Sequence, residues 1–199
     1  MRPLTLDDVL PLADYVPRRR EFFESHERYL DRYRRVRVGP QVTLQFENRQ
    51  TLWFRVQEVL RVARLSEPDR VRQQLQLYNR LLPGKSRLQA AILIEIQNPP
   101  RAVNELKEWE NLDGSQVVLC LGPDRLPSRL VTCRPEDRVL GAAHWIEFAI
   151  PRERRGPLAD PAIPAQFAVE RSGYNHESGP LADEIRHSLL EDLQLSDQD

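Results

Sequence analysis

The amino-acid sequence predicts a single α+β domain over residues 1–195, with a mostly antiparallel sheet of about five or six strands and helices packed mainly on one face. Two observations lead to this fold class. An alternating stretch passes directly into a helical one within residues 37–61, and short strands separated by turn residues follow residue 112. No repeat or change of composition marks a second domain, and residues 196–199 are expected to fray.

The N-terminal segment predicts one helical turn and then a long helix. Thr5 and Asp8 have the spacing of a helix cap. After Pro17, apolar residues recur at three- and four-residue intervals as far as about Val36, and Gly39-Pro40 ends the pattern. We therefore expect a helix over residues 17–36.

The next segment predicts a strand that turns directly into a helix. Val42, Leu44 and Phe46 alternate with polar residues, as in a half-buried strand. Asn48 can then cap a helix that extends to about Leu65.

The remaining elements follow from the same two periodicities and from Pro and Gly as breaks. In order, we expect a helix over 67–82, a buried strand over 88–96, a helix over 101–112, strands over 117–121, 129–133 and 144–150, a long loop over 151–164, a strand over 166–170 and a helix over 180–193.

Composition limits the class of protein. The 199 residues are 40% hydrophobic and 30% charged, as in ordinary soluble globular proteins. No apolar run approaches the roughly 20 residues of a membrane-spanning helix. The acidic N-terminal segment lacks the apolar stretch of a signal peptide, so we expect a cytoplasmic protein. Cys120 and Cys133 lack Cys-x-x-Cys spacing and are expected to be buried thiols, and we expect neither a metal nor a cofactor.

Charge is distributed unevenly along the chain. Residues 1–100 carry 18 Lys/Arg against 12 Asp/Glu, a net charge of +6, and residues 101–199 carry 11 against 18, a net charge of −7. Binding of nucleic acid would require the arginines of residues 18–37 to form one exposed basic face. Four acidic residues dilute that segment, so nucleic-acid binding is not expected: Glu21, Glu24, Glu27 and Asp31.

The helix after Asn48 carries a carboxylate in an unusual position. At 100° per residue, Glu58 falls in a second apolar band formed by Phe54, Val62 and Leu65. Its charge must be met by Arg55, Arg61 or a partner from the sheet, or it belongs to a site. Structural pairing is the favoured interpretation. The candidate binding residues on this helix are Arg55, Gln57, Glu58 and Arg61.

Three further candidates lie in the second half of the chain. Tyr174 and His176 fall in a Gly- and Ser-bounded loop, which is either a binding loop or a plain surface turn. His144 shares its strand face with Ile146 and Phe148, which favours a hydrogen-bonded core imidazole.

A di-iron centre is not predicted. Glu184 and His187 form one Glu-x-x-His pair, but such centres use this unit in duplicate, and the chain has no second copy.

Four stretches of the chain carry a family resemblance: Gly39-Pro40 through Arg61, Tyr78-Asn79 with Leu82-Pro83, residues 144–148 and Tyr174-x-His176. They span nearly the whole chain, which resembles a bacterial family known as domain of unknown function 3501. The family pattern often has His-Pro where this chain has Arg171-Ser172, which weakens any metal site there. Members are often encoded beside rubrerythrin-like proteins and iron–sulfur oxidoreductases of heterodisulfide-reductase type. The resemblance therefore implies a role in redox physiology, without a mechanism.

Two functions remain open at this point. The first is an accessory or adaptor protein that binds a redox partner and has no chemistry of its own. The alternative is a small-ligand-binding protein or enzyme, whose site would bring together Glu58, Arg61, His144, Tyr174 and His176. Convergence of these side chains in one pocket favours the second function, and dispersal favours the first.

Overall fold

The computed structural model describes residues 1–107, 109, 112, 114–131 and 143–197. Within these residues the helices are α1 (Leu12–Tyr33), α2 (Arg49–Val62), α3 (Pro68–Asn79), α4 (Ala102–Lys107), α5 (Arg155–Ala159) and α6 (Asp183–Asp197). The strands are β1 (Arg35–Val38), β2 (Val42–Phe46), β3 (Arg87–Ile94), β4 (Val117–Leu121), β5 (Asp124–Pro127), β6 (Arg129–Leu130), β7 (Ala143–Ala149), β8 (Ala165–Arg171) and β9 (Tyr174–Glu177).

The strands form two sheets. The first has the order β1-β2-β3-β7-β6 and the second the order β5-β4-β8-β9. Every neighbouring pair is antiparallel. The predicted α+β class and its antiparallel strands are therefore confirmed, with the strands divided between a five-stranded and a four-stranded sheet.

The main core lies between the two sheets. Phe46 of β2, Phe148 of β7 and Phe167 of β8 meet there, with ring centroids 5.1 Å apart for Phe46 and Phe167 and 5.3 Å apart for Phe148 and Phe167. Helix α6 adds its apolar face to the same core through Leu189 and Leu193, both fully buried. Burial of this apolar surface is the main stabilising term of the fold.

A helical layer covers the other face of the first sheet. Arg55 of α2 reaches the sheet, where it contacts Glu47 and lies over the ring of Trp145. A second, smaller core holds the helices to each other and contains Leu52, Val56 and Leu60 of α2 with Val71 and Leu75 of α3. Helix α2 is thus fixed on several sides, and Gln50 near its start and Val62 at its end are exposed.

The predicted caps at Asn48 and at Thr5 are confirmed. Asn48 accepts hydrogen bonds from the backbone N–H groups of Gln50 and Thr51, at 3.0 and 3.1 Å. The backbone N–H of Thr5 donates to the Asp8 carboxylate at 2.8 Å. Both contacts satisfy donors that the first helical turn leaves without intrahelical partners.

Several predicted boundaries are wrong. Helix α1 begins at Leu12, so Pro17 lies inside it, and it ends at Tyr33. Val36 lies in strand β1, because its backbone pairs with Leu44 of β2 and the helix does not continue. The residues predicted as a loop around Tyr174 form strand β9, which pairs with β8. The strand predicted over 129–133 ends at Leu130, and Cys133 lies outside the described residues.

None of the helices in the described part of the chain is long and apolar enough to span a membrane.

Candidate functional site

Helices α1 and α2 pack antiparallel, and the carboxylate of Glu58 joins them. It accepts hydrogen bonds from the Tyr15 hydroxyl at 2.9 Å and from Arg19 Nη2 at 2.8 Å, both on α1. It also accepts one from Arg61 Nη2 at 3.0 Å, one turn further along α2. The predicted pairing of Glu58 with Arg61 is present, whereas Tyr15 and Arg19 gave no signal in the sequence because they lie 43 and 39 residues away.

These contacts fix the charge of the site. Burial alone opposes ionisation of Glu58, but hydrogen bonds from Arg61, Arg19 and Tyr15 outweigh it and lower the pKa of Glu58 to about 2. Burial, reinforced by the bond to Glu58, raises the pKa of Tyr15. At neutral pH the carboxylate is therefore ionised, and the phenol stays protonated and donates to it.

Exposed apolar side chains lie on the same two helices as this ion-pair cluster. Phe23 of α1 packs beside Phe54 of α2, and Arg19 binds Glu58 one turn away. Val16 lies three residues before Arg19 on α1 and Val62 four residues after Glu58 on α2, so each shares a helix face with the neighbouring charge. Val16, Phe23 and Val62 are 52%, 42% and 69% exposed. We name Val16, Arg19, Phe23, Glu58, Arg61 and Val62 the α1–α2 surface.

The exposure of Val62 corrects one expectation. The sequence placed Glu58 within a packed apolar band formed by Phe54, Val62 and Leu65. Phe54 is buried, but Val62 is on the surface. Glu58 is accordingly half-buried, at the boundary between the core of the helical layer and solvent.

The other two candidates on α2 point elsewhere. Arg55 Nη2 contacts the fully buried Glu47 carboxylate at 2.5 Å and leaves Glu58 to Arg19 and Arg61. Gln57 is fully buried, and its amide nitrogen and oxygen find no hydrogen-bond partner among the described residues. Arg55 therefore connects α2 to the sheet. Gln57 is a buried polar group, and no hydrogen bond from a described residue offsets the cost of removing its amide from water.

Tyr174 and His176 hold the second sheet to the β1–β2 hairpin. The Tyr174 hydroxyl donates to the Val38 carbonyl at 2.6 Å and accepts from the backbone N–H groups of Gln41 and Val42 at 3.0 and 3.2 Å. Gly39 adopts a left-handed conformation with φ of +69°, and a Cβ there would lie 2.5 Å from the His176 ring. Both side chains thus pack tightly against the hairpin turn.

His144 lies on β7, directly opposite Ile92 of β3. It shares a face of the strand with Ile146 and Phe148, which belong to the main core, and it is half-buried. The structure thus brings Glu58 and Arg61 together and places Tyr174 beside His176, with ring centroids 4.4 Å apart. It does not bring these two pairs into one pocket, because the first sheet lies between them.

Sequence reasoning missed a polar cluster at the other end of α2. A cleft of about 410 Å³ opens there, and its lining includes Asn48, Arg49 and Asp192. A hydrogen bond from Arg49 lowers the pKa of Asp8 to about 2. The carboxylate of Asp192 is in turn bound by Arg34, so both carboxylates near this cleft have an arginine partner within the chain.

The arginines of residues 18–37 do not form an unpaired basic face. Seven of the eight make ion pairs with carboxylates: Arg18, Arg19, Arg20, Arg32, Arg34, Arg35 and Arg37. Tight binding of nucleic acid needs Lys or Arg side chains that are free to neutralise phosphates. The pairing of these arginines with carboxylates therefore weakens the case for a nucleic-acid interface.

The described residues contain no group of three or more His, Cys, Asp and Glu side chains arranged to hold a metal ion.

Fold and surface together define an α+β protein of two antiparallel sheets, with a helical layer that presents an apolar surface around an ion-pair cluster. Residues 3–193 match the model of the family described as protein of unknown function DUF3501, and the chain belongs to this family. No curated protein matches the chain.

A solved structure shares the fold. The crystal structure of a novel protein of unknown function from Burkholderia pseudomallei K96243 superimposes with a TM-score of 0.86 at 22% sequence identity. The match covers 96% of this chain and 100% of that one. At this level of identity the likeness concerns the fold alone.

Proposed function

We propose that the chain is an accessory protein that binds a redox protein partner through the α1–α2 surface and has no chemistry of its own. The observation that carries this proposal is the separation of the candidate side chains. Glu58 and Arg61 lie on the helical side of the first sheet, whereas Tyr174 packs in the core on its other side. An enzyme needs its acid, base and binding groups within reach of one reacting centre.

The α1–α2 surface has the composition of a protein-binding surface. Large apolar side chains that stay exposed in a group mark places where burial against a partner is favourable. Here they share helix faces with a carboxylate and two guanidinium groups that are already hydrogen-bonded to each other. A surface that is ordered before binding loses less conformational entropy when the partner docks.

The identity of the partner is proposed from the family resemblance. Rubrerythrin-like proteins and iron–sulfur oxidoreductases accompany members of this family, so we propose that one of them is the partner, in the cytoplasm. Cys120 is consistent with a reducing compartment, because it is a buried free thiol whose pKa burial raises, and it is thus protected from reaction.

The test compares two valine variants in the native host. Val62 and Val103 are 69% and 68% exposed, both on helices, but Val103 lies on α4, outside the α1–α2 surface. Tagged wild-type, Val62→Asp and Val103→Asp proteins would be purified natively, and the associated polypeptides would be identified by mass spectrometry. We expect an iron–sulfur or rubrerythrin-like polypeptide with the wild type and Val103→Asp, and its loss with Val62→Asp.

Two results would contradict the proposal. The first is retention of the same partner by Val62→Asp and the wild type alike, which would exclude docking on this surface. The second is turnover of a substrate by the purified chain alone, which would show that it has its own chemistry.

A further inference from the structure

We infer that the partner docks through an acidic amphipathic segment, whose carboxylate binds the outer edge of Arg61 while its apolar side chains cover Val16, Phe23 and Val62. This inference rests on the proposed function and adds the chemistry of the docking segment. Three features of the α1–α2 surface support it: the free edges of two guanidinium groups, the sign of the local charge and the spacing of the exposed apolar side chains.

Arg19 and Arg61 use the same edge of the guanidinium group to bind Glu58. Each donates from Nε and Nη2, at 2.8 to 3.1 Å. A guanidinium group carries five N–H donors in a planar fork, so the Nη1 side of each group is left for another acceptor. The two side chains are 40% and 30% exposed, which leaves these donors accessible to a partner.

The local charge selects an anion. One carboxylate lies between two guanidinium groups, which gives the cluster a net charge of +1. Tyr15 is protonated and adds no charge. A carboxylate that binds the outer edge of Arg61 would neutralise the cluster and form charge-assisted hydrogen bonds, whereas a lysine or arginine would be repelled.

The apolar side chains fit the repeat of a helix or a short extended segment. Val16 and Phe23 are seven residues apart on α1, which corresponds to roughly 10 Å along the helix axis. Two turns of an amphipathic helix present apolar side chains over the same distance, with one polar position between them. A segment that places its acidic residue between two apolar ones therefore matches the α1–α2 surface in both charge and spacing.

The experiment maps the docking segment directly. The photo-crosslinking residue p-benzoylphenylalanine would replace Val62 in the full chain, produced in the native host, and Val103 in a control. After irradiation, mass spectrometry would identify the crosslinked peptide. We expect position 62, but not position 103, to crosslink to a peptide with apolar residues on both sides of an Asp or Glu.

A charge exchange then tests the role of that carboxylate. Arg61→Glu should weaken binding of the identified partner at least about tenfold, and replacement of the partner's Asp or Glu by Arg should restore much of the loss. Thermal melts of Arg61→Glu alone would show that the variant is folded. If it is not, Arg61→Gln replaces it, with an expected loss of about tenfold and a weaker dependence on salt.

The outcomes separate this inference from the proposed function. A crosslink from position 62 to a basic or uncharged segment of a redox protein would overturn the inference and leave docking on the α1–α2 surface intact. A crosslink to a second copy of this chain would overturn both. Both would also be overturned if position 62 gave no more crosslinked product than position 103.

Discussion

Arg34 and Asp192 form a buried ion pair across 158 residues of sequence. Arg34 Nη2 lies 3.3 Å from Asp192 Oδ1, and Nη1 contacts the other carboxylate oxygen. Arg34 Nε donates to the Tyr29 hydroxyl at 2.9 Å, which also accepts from the Asn48 side chain at 2.9 Å. The pair thereby connects the end of α1, the cap of α2 and helix α6.

We expect Asp192→Asn to lower the free energy of unfolding by about 3–5 kcal/mol, because it leaves the Arg34 charge buried without a counter-ion. The control is Glu184→Gln, which removes the exposed contact between Arg32 and Glu184, 3.7 Å apart, and should cost less than about 1 kcal/mol. Urea unfolding of both variants measures the difference. If the two variants lose the same unfolding free energy, the buried pair of Arg34 and Asp192 stabilises the fold no more than an exposed pair does.

The stability that Glu58 contributes should depend on pH. Its pKa is lowered in the folded protein from 4.5 to about 2, so the contribution is complete above pH 4.5 and is lost as the pH falls toward 2. At neutral pH, Glu58→Gln should cost on the order of 2–3 kcal/mol, because Arg19 and Arg61 lose their common carboxylate.

The pH dependence is measured by urea unfolding of the wild type and Glu58→Gln between pH 2 and pH 7. The difference in unfolding free energy should shrink steadily below pH 4.5. A difference that stays constant over this range would show that the ionisation of Glu58 does not stabilise the fold. Glu24→Gln, which removes an exposed pair within α1, serves as the control and should change little.

Gly39→Ala should destabilise the protein by roughly 2–4 kcal/mol for two reasons. The left-handed φ of +69° disfavours any residue with a Cβ, and the new methyl group would lie 2.5 Å from His176 and 2.7 Å from the Tyr174 hydroxyl. Gly173 is a matched control, since its φ is +79° but a Cβ there meets nothing within 4 Å. Gly173→Ala should therefore cost only about 1–2 kcal/mol.

Thermal or urea melts of the two alanine variants separate steric overlap from backbone strain. Removal of the His176 ring in Gly39→Ala/His176→Ala should recover part of the additional loss. If the two glycine variants are equally destabilised, the hairpin turn and His176 are not in tight contact.

Gln57→Met should raise the free energy of unfolding by about 1–2 kcal/mol. The Gln57 amide is fully buried and makes no hydrogen bond to a described residue, so an apolar side chain of similar shape removes a desolvation penalty without creating a cavity. The control is Gln73→Met on the exposed side of α3, which should change stability by less than about 0.5 kcal/mol. A loss of stability in Gln57→Met would indicate that the amide has a partner in solution.

The sequence by itself determined the elements whose signals are local. The alternation of Val42, Leu44 and Phe46 and the cap at Asn48 fixed β2 and the start of α2, because a strand face and a helix cap involve residues only two to four positions apart. The α+β class followed from the same local periodicities. Glu58 and Arg61 could be paired in advance because they are three residues apart on one helix.

Only the tertiary structure decided the rest. Val36 fits a helix as well as a strand, and its pairing with Leu44 across the hairpin decided for the strand. Tyr174 has the flanking residues of a loop, and its pairing with β8 makes it part of a strand. The partners of Glu58 on α1, the contact between Arg34 and Asp192 and the exposure of Val62 depend on which helices pack together. The packing of helices that are distant in sequence is set by the summed burial of many side chains, and no short pattern of residues encodes it.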